Sequence, residues 1–210
     1  MEIDIAKQIG AVTREVASRD YEGKPARVVV ASQTYSTTAE DLFEAITTAE
    51  RIPRWFMPIT GDLRLGGRYQ LQGNAGGEIL ICEPPTHLRV TWEFGGETSW
   101  LEVWIEAVSP KSARLTLEHV AYVSDERWNQ FGPGAVGAGW DLALVGLTLH
   151  IETGAPKITE EGMAWMTSDE GKSFVRQSSE AWCRASIAGG TDPAAAKAAA
   201  DRTTAAYTGA

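Results

Sequence analysis

Three histidines and two cysteines are the side chains best suited to metal or nucleophilic chemistry, and their spacing argues against both. His87, His119 and His150 are scattered, and Cys82 and Cys183 stand about a hundred residues apart. Neither set has the short paired spacing of a zinc site, so no metal and no cofactor is expected. Asp141 and His150 are nine positions apart in one apolar stretch. On a helix that is about 2.5 turns, which sends them to opposite sides and excludes a dyad. The glycines from Gly73 to Gly77 lie between strand-like segments and not ahead of a helix, so they do not form a phosphate cradle. There is no nucleophile elbow. Ser178-Ser179-Glu180 and Thr203-Thr204 read as solvated helix faces. His119 is the sharpest polar candidate. It alternates with Leu115 and Leu117, so it points with them to the interior. There it could orient a ligand or act as a general base, or it is a core histidine satisfied by a neighbour. No residue is assigned as catalytic.

Those residues need a frame, and the hydrophobic periods supply one. Ile5, Ile9, Val12 and Val16 predict an N-terminal helix ended by Glu22-Gly23-Lys24-Pro25. Arg27 to Tyr35, rich in β-branched residues, predicts a first strand. Thr37 and Glu40 read as a capping box for a short helix carrying Leu42, Phe43 and Ile46. Pro53 interrupts that helix, and Trp55-Phe56-Met57-Pro58 follows as a bulky apolar loop, a core plug or a pocket rim. From Gly66 the period becomes two. Five alternating segments, separated by Gly73–Gly77, Glu83-Pro84-Pro85, Gly95-Gly96 and Ser109-Pro110-Lys111, predict an antiparallel meander with one apolar face. Ser124-Asp125-Glu126 opens a polar segment that runs to Gly132-Pro133-Gly134. Val136, Trp140, Leu144, Leu147 and Ile151, with Leu142, Val145 and Leu149, then make a helix apolar nearly all round. Such a helix needs cover on more than one side. Gly137, Gly139 and Gly146 inside it imply close backbone approach or a neighbouring cavity. Ser168-Asp169-Glu170 starts a tail helix to about Ala188, and Asp192-Pro193 starts a last, alanine-rich one anchored by Tyr207.

Composition narrows the class. The chain has 210 residues, 43% hydrophobic and 22% charged, with a net charge of −9. That fits a soluble α+β protein and argues against nucleic acid and anionic membrane surfaces as partners. The opening Met1-Glu2-Ile3-Asp4 is acidic with no apolar run behind it, so no signal peptide is expected. No run of about 18 apolar residues predicts a membrane span. Two free thiols and a cytoplasmic location are the corresponding expectations.

An ordered set of segments carries a family resemblance. It comprises the strand at 27–35, the capped helix, Trp55-Phe56-Met57-Pro58, Gly61-Asp62-Leu63-Arg64-Leu65-Gly66-Gly67-Arg68-Tyr69, and Gly77-Glu78-Ile79-Leu80. Glu83-Pro84-Pro85, Leu88, Thr91-Trp92 and Gly139-Trp140 with Leu144 and Leu147 complete it. Over residues 27–152 this resembles the SRPBCC (START/birch-pollen-allergen-like) superfamily, and within it the bacterial homologues of the heat-shock-protein-90 ATPase activator. The resemblance implies a helix-grip fold: a curved antiparallel sheet of about six or seven strands around a long C-terminal helix, with a cavity between them. Outside it lie a helical extension at 1–22 and a helical extension at 155–210, expected to pack on the same domain.

Within that frame the sequence implies a non-enzymatic binder of a small hydrophobic or aromatic molecule. The expected ligand-binding set is Trp55, Phe56, Tyr69, Leu71, Ile81, Val90, Trp92, Val103, Leu117, His119, Trp140 and Leu144. Two alternatives stand beside it: a cyclase or hydrolase with His119 as base, and a chaperone-linked interaction module. Trp100 and Trp104 fall on the opposite, outer sheet face and need cover, from the tail or from a second copy in a homodimer.

Overall fold

A computed structural model describes residues 4–154 and 159–209. The expected start of the tail at 155 therefore lies outside the described residues. The chain forms two compact units. One comprises residues 1–31, 122–142 and 158–210; the other comprises 32–121 and 143–157.

In the first unit the N-terminal stretch departs from the expected helix. Helix α1 covers only Ile5–Ala11, capped by the Asp4 side chain on the Lys7 amide. Val12 already has extended backbone, and Thr13–Tyr21 is strand β1. Strand β2, Lys24–Tyr35, starts three residues before the predicted one. Glu22 and Gly23 between them both have positive φ, 51° and 78°. That is the geometry of a tight two-residue hairpin, and Glu-Gly is a weak sequence signal for it compared with Asn-Gly. The helical spacing of Val12 and Val16 was accidental, because strand pairing outweighs a four-residue stripe.

Eight antiparallel strands form one sheet in the order β1-β2-β8-β7-β6-β5-β4-β3. The second unit holds the capped helix α2, Ala39–Thr47, with Thr38 rather than Thr37 as its N-cap. Thr38 accepts from the Asp41 amide, while the Thr37 hydroxyl donates to the Asp41 carboxylate at 2.6 Å. A 3-10 turn at Ile52–Arg54 and a short strand β3, Ile59–Gly61, follow. The meander is β4 Arg68–Leu71, β5 Gly76–Glu83, β6 His87–Phe94, β7 Glu97–Ser109 and β8 Ser112–Ala121. These are the five strands that alternation predicts. The total of eight exceeds the expected six or seven because β1 and β3 carry no clear apolar alternation.

The polar segment after β8 is itself helical: α3 spans Asp125–Phe131 and is capped by Ser124. The long helix α4 is Gly134–Thr153. It is apolar and long enough to cross a bilayer, yet Leu144, Val145 and Leu147 are buried within the protein. Val136, expected on its buried stripe, is 39% exposed. Helices α5 Thr159–Thr167, α6 Asp169–Ala188 and α7 Pro193–Thr208 follow. In the first unit α6 packs on the early residues of α4 so closely that a side chain at Gly137 would collide with the Trp182 ring. Tyr207 of α7 donates to the Ala135 carbonyl at 2.9 Å. Close approach, one of the two reasons expected for the glycines, is thus the one found at Gly137.

That packing holds a buried polar cluster. Arg14 Nε donates to both Asp141 carboxylate oxygens at 3.2 and 3.0 Å, and Ser178 and Trp182 donate to Oδ2 at 2.5 and 3.2 Å. Burial pushes the Asp141 carboxyl up, against Arg14 and the two neutral donors, which favour its charged form. Ser178 and Ser179 are buried, not solvated as expected. Their helix face is set by Trp182 and Asp141, which local sequence does not reveal. Cys82 and Cys183 are both free thiols.

Candidate functional site

Register across the second unit's sheet defines one inner face. Val90, Leu101 and His119 lie side by side across β6, β7 and β8, and Leu88, Val103 and Leu117 form the next row. Tyr69 and Leu71 of β4 are buried on this face as well, and the Tyr69 hydroxyl reaches the Thr91 carbonyl at 2.8 Å. Alternation puts Trp92 and Ser99 opposite one another on the same side. Of the expected site residues, Tyr69, Leu71, Val90, Trp92, Val103, Leu117 and His119 therefore share one face. Leu144 is buried in α4 of the same unit. Trp55 and Phe56 stack on each other at 5.3 Å and are half-buried, with the Trp55 indole donating to the Ala45 carbonyl. Trp140 is buried in the first unit.

Ile81 is a correction. The β5–β6 register shifts between Ile79 and Ile81, so Ile79 faces Val90 but Ile81 faces Arg89, on the outer side. Strict alternation placed Ile79 and Ile81 together. One extra residue in a β-bulge reverses the face of everything after it. Cys82, opposite Leu88, takes the inner position instead.

The polar content of this face centres on His119, which is 6% exposed. Its ring packs edge-on to Trp92 at 6.2 Å, and its Nε2 lies 2.8 Å from Ser99 Oγ. Ser99 Oγ also lies 3.1 Å from the Trp92 carbonyl. The Ser99 contact engages one of the two ring nitrogens. Burial lowers its pKa to about 4. Burial likewise pushes the Tyr69 phenol well above its ordinary range, with the Glu93 carboxylate adding to the effect. Ser99 was absent from the expected set, although it alternates with Leu101 and Val103 and could have been included.

A second polar group sits where β2 meets α4. Ser32 shares a hydrogen bond with Thr116, which pairs with Trp104 on the outer face, so Gln33 and Tyr35 point inward. Gln33 donates to the Thr148 hydroxyl at 2.8 Å, and Thr148 donates to the Leu144 carbonyl at 2.9 Å. Farther along α4, Arg51 contacts His150 Nε2 at 3.3 Å and Asp41 at 2.7 Å. His150 is thus tied to an arginine of its own unit, and Asp141 to Arg14; the two form no dyad, as the spacing indicated. Gly146 lies against the Trp55 carbonyl, with no room for a side chain. On the outer face Trp104 stacks flat on His87 at 5.2 Å, and His87 bonds Glu102 at 2.9 Å. Trp104 keeps 37% exposure. Among the described residues no group of three acidic, histidine or cysteine side chains could hold a metal.

A family model described as Activator of Hsp90 ATPase homolog 1-like protein matches residues 36–152, more than half of the chain. The chain belongs to this family. Membership places it in the SRPBCC helix-grip fold that the ordered motifs implied. The crystal structure of CalU16 from Micromonospora echinospora is 31% identical, with a TM-score of 0.66, covering 83% of this chain and 98% of CalU16. Its solution structure is 30% identical, with a TM-score of 0.68, covering 85% and 97%. Both matches take in a larger share of the chain than residues 36–152 make up. PFC0360w, titled an HSP90 activator from Plasmodium falciparum, shares the fold at 23% identity and a TM-score of 0.52, over 61% of this chain and 97% of its own. A comparison with curated proteins gives no significant match.

Proposed function

We propose that this family member binds a small hydrophobic or aromatic molecule without transforming it, on the inner sheet face of the second unit. One observation carries the reading: a buried histidine bonded to Ser99 stands in a mostly apolar wall with a few neutral polar groups. Mostly apolar lining with one or two oriented polar groups is the composition of small-molecule sites. The cyclase or hydrolase alternative is weaker. A general base works best with a pKa near the working pH, and His119 is held far below neutrality. Asp141 and His150, the other acid–base candidates, are engaged by arginines. The free thiols and apolar ligand fit a cytoplasmic protein.

The family match favours one second reading, a chaperone-linked interaction module. Its natural surface is the outer face around the half-exposed Trp104.

The first reading is tested with N-phenyl-1-naphthylamine, whose fluorescence rises in apolar sites. Saturable binding by the wild type, lost in a folded Val103→Trp variant that fills the inner face, is expected. A folded wild type with no saturable uptake, or uptake unchanged by Val103→Trp, would overturn it. A Trp104→Ala change should leave uptake intact and weaken only a protein partner.

A further inference from the structure

Along β7 the outer sheet face carries Trp100, Glu102, Trp104 and Glu106 at alternate positions. Trp104 is held flat there. His87, opposite it on β6, stacks on the indole at 5.2 Å with 7° between the planes, and Glu102 holds His87 at 2.9 Å. One face of the ring is thus covered, and its 37% exposure belongs to the edge and the other face. A fixed indole with an open face is a seat for a cation, which the ring quadrupole attracts.

The charge around it has a sign. Glu102 and Glu106 flank Trp104 on β7. One register step away on the neighbouring strands lie Arg89 of β6 and Arg114 and Glu118 of β8, and Glu83 of β5 reaches His87 at 3.7 Å. Four carboxylates thus stand against two guanidiniums, on a chain of net charge −9. Glu106 is exposed, and among the described residues it makes no ion pair, even with Arg114 opposite it. Alternate residues on a strand are about 7 Å apart, so an open indole and an unpaired carboxylate stand at the spacing of two bases on an extended segment. A second copy of the chain would bring the same surplus of carboxylates to the contact, and like charges across an interface are costly.

Resting on the interaction-module reading above, we infer that the outer face around Trp104 and Glu106 docks a basic protein segment in extended form. An arginine stacks on the open face of Trp104, and the next base, two residues on, pairs with Glu106. Arginine suits the ring better than lysine, because its planar guanidinium stacks and is more weakly hydrated.

The probe is a five-residue peptide with arginine at its first, third and fifth positions and glycine between, capped at both ends. Analogues with glutamine or glutamate in place of arginine are the controls. Each is titrated into the nitrogen-15-labelled full chain while the backbone amide signals of β7 are followed. The arginine peptide should shift the signals around Trp104 and Glu106 saturably, and less so as salt rises from about 50 to about 300 mM. The glutamine analogue should bind at least about fivefold more weakly, and the glutamate analogue should not bind. Trp104→Ala should weaken the arginine peptide about two- to fivefold, and Glu106→Gln about twofold. Both side chains are exposed, so both variants should keep the wild-type melting profile. Equal binding of the three peptides at β7 would overturn the basic partner while leaving the face a docking surface. Arginine-peptide binding unchanged in both variants would place it elsewhere on the acidic chain and overturn the inference. Shifts of the β7 signals with protein concentration alone would show a second copy on this face and overturn it too. No shift at β7 with any peptide would overturn the docking surface and this inference with it.

Discussion

Lowering the pH should weaken the fold through His119 before the carboxylates contribute. The folded pKa is about 4, against 6.5 for the free side chain. The unfolded chain therefore binds the extra proton first, and stability falls as pH drops from 6.5 toward 4. Above pH 6.5 the contribution is complete; below 4 it is gone. Between pH 7.5 and 5 the two pKa values give a loss of about 2 kcal/mol. Urea unfolding at these two pH values, in wild type and His119→Gln, isolates the effect. Glutamine can still donate to Ser99 but has no proton to gain. The wild type should lose about 2 kcal/mol more than the variant over this interval, and nitrogen-15 spectra should show a neutral His119 at pH 7. Parallel pH profiles for the two proteins, or a His119 resonance titrating near 6.5, would refute the burial argument.

Two further outcomes follow from the packing of α4. Asp141→Asn should destabilise the protein by about 3–5 kcal/mol, because it leaves Arg14 buried without its countercharge. Adding Arg14→Met should recover much of that loss in thermal melts, whereas additive losses would show the pair to be uncoupled. Gly146→Ala should cost about 1–3 kcal/mol, because the new methyl group collides with the Trp55 carbonyl. Gly10→Ala in α1, where nothing lies within reach, should be neutral or stabilising by up to about 1 kcal/mol in the same melts.

The sequence by itself determined the meander, the long apolar helix, the two main tail helices and the family. Each rests on a period repeated often enough that no single residue matters: five alternating strands, and eight apolar positions along α4. It also placed His119 on the inner face and Trp100 and Trp104 on the outer one, since β7 and β8 pair without interruption across those residues. Tertiary structure decided what depends on one residue or on a distant partner. A single-residue bulge sends Ile81 outward and Cys82 inward. Pairing in the sheet makes Thr13–Tyr21 a strand despite a helical stripe. Ser178 is buried because Asp141, thirty-seven residues earlier, needs its proton. Ser99 meets the His119 ring, and Thr148 links Gln33 of β2 to the Leu144 carbonyl of α4. Periodicity reports which way a side chain points. Only the folded chain decides what it meets there.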